Sequence, residues 1–306
     1  MKRLLLITAT ILLSSSCTLS EKIIKDYAQK SHDEYSVLME KKNYTEAFKI
    51  LEKWKFFDNK NPELYIDYFN LYLSEGTESG ISIDTERNNN ETSIELADPK
   101  TNQIVGYING YTNYNQEHLT KAIISLNEGI NYSRDRLDMY FGKIHVLNEV
   151  GDYKTASSTI QEVLKQSIIN KNNWLWSKNE KIDDGERVLL DSLNDYYAEW
   201  INIRNDQSLE ALLNTSTLQV DLYKNNTYGY NFLAYYYILK DQKIKAIPLL
   251  LIAEKIDPND LVVINNLARL YEDTGNKIEA AKYWDKIIML GTPEQVTAAK
   301  ERKKML

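Results

Sequence analysis

The residue types that most often carry out chemistry are sparse and scattered in this 306-residue chain. Its three histidines, His32, His118 and His145, lie far apart, and none has a cysteine or a second histidine at the spacing of a metal site. The chain contains no glycine-rich phosphate loop, no nucleophile elbow and no His-Glu-x-x-His motif. Acidic residues are so numerous that choosing two as a general acid and base would be arbitrary. We therefore expect no enzyme, no metal site and no cofactor.

Cys17 is the single cysteine, and it follows a segment of recognisable character. Lys2 and Arg3 give the chain a positive start, residues 4–13 are mostly apolar, and three serines then lead into Cys17. The apolar run is too short to span a bilayer, which takes about 20 residues, and a short run after a basic start is typical of a secretory signal. A lone cysteine also excludes an internal disulfide framework.

Small residues directly before a lone cysteine resemble the end of a bacterial lipoprotein signal peptide. The resemblance implies that residues 1–16 are removed, that Cys17 carries lipid such as palmitate, and that residues 17–30 form a lipidated N-terminus and spacer. Thr18 follows, and by analogy with lipoprotein sorting in bacteria with two membranes, a residue other than aspartate there favours the outer membrane. The alternative is a plain signal peptide cut near Ser16. We expect a lipid-anchored protein of the bacterial cell envelope.

A pattern of large and small residues occurs twice in a row near the C-terminus, at one constant spacing that we call the repeat period. The paired positions are Tyr230 and Ile264, Leu233 and Leu267, Ala234 and Ala268, Tyr237 and Tyr271, Ala246 and Ala280, and Leu250 and Trp284. Pattern and period resemble the tetratricopeptide repeat, a unit of two helices joined by a turn. Since one such pair cannot bury its apolar side alone, successive pairs stack. The resemblance implies an all-α fold, an α-solenoid of tetratricopeptide-like helical hairpins, over residues 31–306.

The last repeat and the C-terminus depart from the regular pattern. Ile287 stands where the family prefers a small residue, so we expect the last layer to be packed or capped differently. Thr292, Pro293 and Gln295 form a helix start that is similar to a capping box. The helix that follows becomes basic towards its end, which complements the helix dipole. We interpret this basic run as a solvated cap on the solenoid.

Residues 76–114 interrupt the helical pattern. Residues 81–84, 93–96 and 104–108 alternate in polarity or favour strands, with turn residues between the last two segments and a polar loop at Asn88–Asn90. The helical pattern then returns, and Ala122 lies one repeat period before Ala156. We therefore predict one repeat that is split by a small inserted β-hairpin, at about residues 76–114.

Composition supports a helical chain and excludes one class of partner. The chain has 5 prolines and 11 glycines, so it is poor in residues that break helices. Its formal net charge is −7, whereas nucleic acid requires a clustered basic face. We expect no nucleic-acid partner.

The repeat resemblance also implies a binding surface. In this family the concave face uses first-helix positions that the core leaves free, and these correspond to Asn231, Tyr235, Asn265, Arg269 and, in an earlier repeat, His145. The best-known members hold a C-terminal carboxylate with lysine, asparagine and arginine. Tyr235 stands where that clamp has asparagine, and no third repeat follows to supply the cations, so we reject that mechanism here.

The leading interpretation is a membrane-tethered protein–protein interaction scaffold, which binds another envelope protein or peptide on its concave face. The first alternative is a glycan-binding outer-membrane lipoprotein, in which Trp174 and Trp176 stack on sugar rings. The second is a structural component of an envelope assembly complex. Clustered exposed rings in a cleft favour sugar, while a long groove of mixed polar and aromatic residues favours peptide.

Overall fold

The computed structural model describes the backbone of residues 2–87 and 93–306, and it describes side chains from residue 21 onward within those ranges. The side chains of the predicted signal segment 1–16, the predicted lipid-bearing side chain of Cys17 and the predicted loop Asn88–Asn90 therefore lie outside the described residues. The chain divides into two compact units, Met1–Met139 and Tyr140–Leu306.

The first unit consists of two helical hairpins and a small sheet. Its elements in chain order are α1 (Lys2–Glu40), α2 (Tyr44–Phe57), α3 (Pro62–Gly76), β1 (Thr77–Asp84), β2 (Ser93–Ala97), β3 (Ile104–Tyr114) and α4 (Gln116–Tyr132). Helices α1 and α2 pack as one hairpin, and α3 and α4 pack as the next. Residues 21–30, expected to act as a spacer, belong to α1, and Ala28 is already part of the core.

The inserted sheet has three strands, where the sequence predicted a two-stranded hairpin. All three segments with strand character are strands, and β3 lies in the centre, antiparallel to both β1 and β2. The sequence indicated all three strands but not the pairing of β1 with β3, because β1 continues directly from α3 without a turn sequence that marks it as a partner of β3. The Asn115 backbone N–H donates to the Gly76 carbonyl at 2.7 Å, so the insertion leaves α3 and α4 side by side. Helices α3 and α4 thus pack against each other with the insertion between them in the chain.

The second unit is also built mainly of helical hairpins. Its elements are α5 (Leu137–Glu149), α6 (Tyr153–Ile169), β4 (Leu175–Trp176), β5 (Glu180–Lys181), α7 (Gly185–Ile203), α8 (Asp206–Leu222), α9 (Thr227–Leu239), α10 (Lys243–Ile256), α11 (Leu261–Asp273), α12 (Lys277–Leu290) and α13 (Pro293–Lys304). We call the odd-numbered helices α7, α9 and α11 first helices, and the helices α8, α10 and α12 second helices.

The repeat period is present in the helices themselves. Helix α11 begins and ends one period after α9, and α12 begins and ends one period after α10. Ala234 and Ala268 each occupy the eighth position of a first helix and are fully buried, as are Ala246 and Ala280 in the second helices. Small side chains at these positions let the helix axes approach closely. The predicted fold class, an all-α solenoid of tetratricopeptide-like hairpins with a small antiparallel sheet, is confirmed.

Short polar side chains start most of these helices. An asparagine or aspartate at the N-cap position accepts a hydrogen bond from a backbone N–H of the first turn and so satisfies a group that has no partner within the helix. Thr292 and Gln295 form the predicted capping box at the start of α13. The asparagine and aspartate caps are Asn43, Asn61, Asn115, Asp152, Asp184, Asn205, Asn226, Asp260 and Asn276.

Candidate functional site

The first helices of the second unit, together with α5 and α13, line three grooves. We call the surface that contains them the first-helix face. The α11–α13 groove has a volume of about 400 Å³, and Trp284 and Ile287 of α12 form its floor. Asn265 and Arg269 line it from α11, and Arg302 lines it from α13.

The α11–α13 groove carries an available positive charge. Arg302 Nη1 lies 3.2 Å from Glu272 Oε1, so the charge of Arg302 is partly balanced. Arg269 is exposed, and among the residues that the structure describes it has no ion-pair partner. A guanidinium group that is free of a carboxylate can form charge-assisted, bidentate hydrogen bonds to a carboxylate of a ligand. Glu294 is the acidic residue that also lines this groove.

Helix α13 completes this groove, and its role was underestimated from the sequence. The capping box fixes where α13 starts, and Ala299 packs into the core of the second unit. Arg302 follows Ala299 by three residues and reaches the groove. Arg302 is thus both part of the predicted C-terminal cap and a residue of this groove. No third repeat follows α12, as the sequence indicated, but the single helix α13 places one arginine at this groove.

The second groove lies between α7, α9 and α11 and has a volume of about 810 Å³. Asn231 lines it, and Asn231 Oδ1 accepts a hydrogen bond from Asn266 Nδ2 at 2.7 Å, which fixes the orientation of the Asn231 amide. Asn194 of α7 lines the same groove, and its Oδ1 is buried without a hydrogen-bond partner among the described residues. Asp260 is also present, but it accepts hydrogen bonds from the N–H groups of Val262 and Val263 as a helix cap.

The third groove, between α5 and α7, has a volume of about 380 Å³ and is acidic. It contains His145, Asp195, Tyr196 and Glu199. His145 is exposed, and its Nε2 lies 3.5 Å from a carboxylate oxygen of Glu149. Burial raises the pKa of Glu199, nearby His145 opposes that shift, and nearby Glu149 adds to it.

The structure groups the predicted site residues only in part. Asn265 and Arg269 meet in one groove, whereas Asn231 and His145 line two others. Tyr235 is half-buried on α9 and lines none of the three. Reasoning from the sequence missed Asn194 and Arg302. Asn194 was missed because α7 matches the repeat pattern weakly. Helix α7 is nevertheless the first helix that precedes α9, which carries Asn231.

The two tryptophans of the connection between α6 and α7 have different environments. Trp174 is fully buried and packs edge-on against Tyr140 with ring centroids 6.1 Å apart. Trp176 is 41% exposed and lies 6.2 Å from the ring of Phe141. Trp174 therefore cannot stack on a ligand, while Trp176 can.

The described residues contain neither a cluster of metal ligands nor a helix suited to cross a membrane. No group of three or more His, Cys, Asp or Glu side chains in the described part of the chain could hold a metal ion. Within that same part, none of the helices combines the length and apolar character that crossing a bilayer requires.

Comparison with known proteins gives a short sequence match. No model of a known protein family matches the chain. A curated relative, the protein ycf37 of Porphyra purpurea, is 36% identical over 67 residues, which are 22% of this chain and 39% of that protein. The match thus covers about two fifths of the relative's length.

Several solved structures with tetratricopeptide repeats align with the chain. YrrB, described as a tetratricopeptide repeat protein with an unusual peptide-binding site, is 16% identical over 60% of this chain and 84% of its own, with a TM-score of 0.35. A tetratricopeptide repeat protein from Parabacteroides merdae is 12% identical over 92% and 86%, with a TM-score of 0.35. MamA from Desulfovibrio magneticus is 18% identical over 56% and 84%, with a TM-score of 0.32. The fold assignment rests on the hairpins described above.

Proposed function

We propose that this protein is a membrane-tethered scaffold of the bacterial cell envelope, which holds a partner protein or peptide on the first-helix face of its second unit. The observation that carries the proposal is the α11–α13 groove, where Asn265, Arg269 and Arg302 line one apolar floor. Exposed polar groups around an apolar floor are the arrangement that holds a peptide segment, because the floor supplies affinity and the polar groups supply orientation. We assign no catalytic reaction to it.

The charges of the grooves indicate the character of the partner. Arg269 favours an acidic side chain in the α11–α13 groove. Asp195 and Glu199 favour a basic or neutral segment in the groove between α5 and α7. Between them, Asn194 and Asn231 present amides that suit a peptide backbone. The partner therefore has an acidic portion and a second portion that is basic or neutral.

The groove can be tested by purification of the protein with its bound partner from envelopes solubilised in mild detergent. The double variant Asn265→Ala with Arg269→Ala removes an amide and the available cation. Lys255→Ala is the matched control, because Lys255 is an exposed cation on the second helix α10. We expect the double variant to lose the partner by about tenfold or more, since a hydrogen bond to a charged group contributes roughly 1.5–3 kcal/mol. Equal recovery with all three proteins would contradict the assignment.

The tether is tested separately through Cys17. The small residues that precede this lone cysteine support lipidation, and a lipid chain would fix the protein to a bilayer. Cys17→Ser should move the protein from the membrane fraction to the soluble fraction of the envelope. Mass spectrometry of the N-terminal peptide should show an acylated Cys17. An unmodified thiol would remove the tether and leave the groove proposal standing.

Glycan binding is a second candidate, and a specific observation favours it. Trp176 and Phe141 place two rings beside the groove that also contains Tyr196, Asp195 and Glu199. Aromatic faces with nearby carboxylates suit sugar rings and their hydroxyl groups. Binding of envelope polysaccharide that is lost in Trp176→Ala, with the protein partner retained, would support this candidate. The buried Trp174 takes no part in it.

A further inference from the structure

The end of the first hairpin carries a cluster of exposed apolar side chains. Phe56 and Phe57 end α2, with 85% and 60% of their surfaces exposed. Ile23 and Ile24 of α1 are also exposed, at 61% and 42%. Together with Tyr27 we call these residues the aromatic tip. Large apolar side chains of this kind are normally covered, and a group of them marks an interaction surface.

Ring contacts make the aromatic tip one continuous surface. The rings of Tyr27 and Phe57 have centroids 4.8 Å apart, and those of Phe56 and Phe57 are 5.3 Å apart. Ile23 and Ile24 precede Tyr27 by four and three residues on the same helix, so they lie one turn before it on the same side. The side chains from α1 and α2 therefore form a single patch at the end of the hairpin.

Lysines neighbour the residues of the aromatic tip in the sequence. Lys22 and Lys25 flank the two isoleucines, and Lys53 and Lys60 lie three residues on either side of the two phenylalanines. All four lysines are exposed. The two segments 21–27 and 52–60 hold five lysines and four acidic residues, whereas the whole chain has a net charge of −7. Exposed apolar side chains with neighbouring lysines, in two segments whose summed charge is slightly positive, suit a surface that rests in the interface of an anionic bilayer.

The position of the aromatic tip in the chain identifies what it contacts. Phe57 lies beside Tyr27, so α1 continues beyond the end of α2 towards its own N-terminus. Cys17 precedes Ile24 by seven residues, which is roughly 10 Å along a helix. A lipid on Cys17 would thus hold the aromatic tip at the membrane surface. We propose that the aromatic tip inserts into the headgroup region of that bilayer. This proposal rests on the tether of the proposed function.

Energetics explain why a second contact is useful. Contact of the aromatic tip with the bilayer would add to the binding that a lipid on Cys17 provides. Burial of an exposed phenylalanine side chain contributes on the scale of about 25 cal/mol per Å² of apolar surface. The aromatic tip also fixes one end of α1 at the membrane, so it orients the first unit relative to the bilayer surface.

The test uses the full-length protein, produced in a bacterial host that lipidates exported cysteines and purified from its membranes. An environment-sensitive fluorescent amino acid replaces Lys60 next to the aromatic tip, or Lys255 on α10 as the control position. Vesicles of phosphatidylethanolamine and phosphatidylglycerol are then added. Each probe is also measured with Phe56→Ser, and with Ile244→Ser as the matched control, because both side chains are 85% exposed.

We expect the probe at position 60 to shift to shorter wavelength with vesicles and the probe at position 255 to stay unchanged. Phe56→Ser should abolish the shift, and Ile244→Ser should preserve it. Water-like emission at position 60 in vesicle-bound protein would overturn the proposal. A shift without vesicles that grows with protein concentration would also overturn it, because a second copy would then cover the aromatic tip. Vesicle co-sedimentation and the mass of the N-terminal peptide report separately on the tether.

Discussion

Gln219 carries a buried side-chain amide that has no hydrogen-bond partner among the described residues. It lies in α8, is fully buried, and neither its Oε1 nor its Nε2 has a partner among the described residues. An unsatisfied buried polar group costs about 1–3 kcal/mol. Gln219→Met keeps the volume and removes both polar atoms, so it should raise the free energy of unfolding by roughly 1–2 kcal/mol.

Urea denaturation checks the Gln219 prediction. Gln207→Met is the control, because Gln207 is exposed on the same helix. The control should leave the midpoint within experimental error. A lower midpoint for Gln219→Met would show that the amide has partners in solution, such as water.

A part-buried pair, His32 and Asp67 in the first unit, makes stability depend on pH. His32 Nδ1 lies 2.8 Å from Asp67 Oδ2, and Asp67 is buried. The hydrogen bond to Asp67 raises the pKa of His32 against the effect of burial, and the carboxylates of Glu63 and Asp33 add to the rise. Burial raises the pKa of Asp67 to about 6, and His32 opposes that rise. Both groups therefore bind protons more tightly in the folded chain than in the unfolded chain.

The sign of the pH effect follows from these shifts. Between about pH 4 and 6 for Asp67, and above about 6.5 for His32, the folded state holds more protons than the unfolded state. The free energy of unfolding should thus fall as pH rises from 5 to 8, by about 1.4 kcal/mol from Asp67, since about one pKa unit of its shift lies above pH 5. Asp67→Asn should flatten the profile in urea titrations at each pH. Parallel profiles for the two proteins would show that the pair does not titrate in this range.

Turns between helices provide a test at the scale of elements. Gly275 joins α11 to α12 with φ of 78°, and no atom lies near the position where a Cβ would be added. A substitution there changes backbone strain alone, because a side chain at positive φ is disfavoured. Gly275→Ala should lower the free energy of unfolding by about 1 kcal/mol, and Gly275→Asn by less, since asparagine tolerates this region. Asp241 already occupies the equivalent turn one repeat earlier, with φ of 55°.

Urea denaturation of the wild type, Gly275→Ala and Gly275→Asn measures these differences in the free energy of unfolding. Equal midpoints for the wild type and Gly275→Ala would show that the turn relaxes to another conformation at no cost.

The packing of successive hairpins gives a second element-scale prediction. Ala268 is fully buried in α11, at the position that repeats Ala234 of α9. A leucine there adds three heavy atoms to a close-packed layer, so Ala268→Leu should lower stability by about 1–3 kcal/mol. Ala298→Leu on the exposed side of α13 is the control and should have little effect. An unchanged thermal midpoint for Ala268→Leu would contradict the stacking of α9 on α11.

The sequence predicted the fold correctly where a local pattern of residues fits only one kind of structure. The paired alanines predicted α9 to α12 because only small residues fit at a close helix crossing. Thr292 predicted the start of α13 because its capping box is local. The third strand of the sheet could not be predicted as part of a larger sheet, because pairing of β1 with β3 is a long-range property that depends on the fold of the intervening chain.

At the scale of the whole molecule, the two units show different surfaces. The second unit has three grooves along one face, and the first unit has the aromatic tip beside the predicted lipid site. Neither surface could be predicted completely from the sequence, because the residues that line a groove depend on which helices lie next to each other. Arg302 lines the α11–α13 groove because of where α13 lies. Trp174 is not part of a candidate surface, because it packs on Tyr140.

The central claim is that the first-helix face of the second unit binds the partner and the second helices do not. Photocrosslinking in intact envelopes tests it most directly. A photoreactive amino acid is placed at Asn231 or Asn265 on the first helices, or at the exposed positions Ile252 and Met289 on the second helices. We expect one discrete crosslinked product from the first pair, which disappears when Arg269 is changed to alanine, and none from the second pair. Equal crosslinking from both pairs, or a product from the second helices only, would contradict the account.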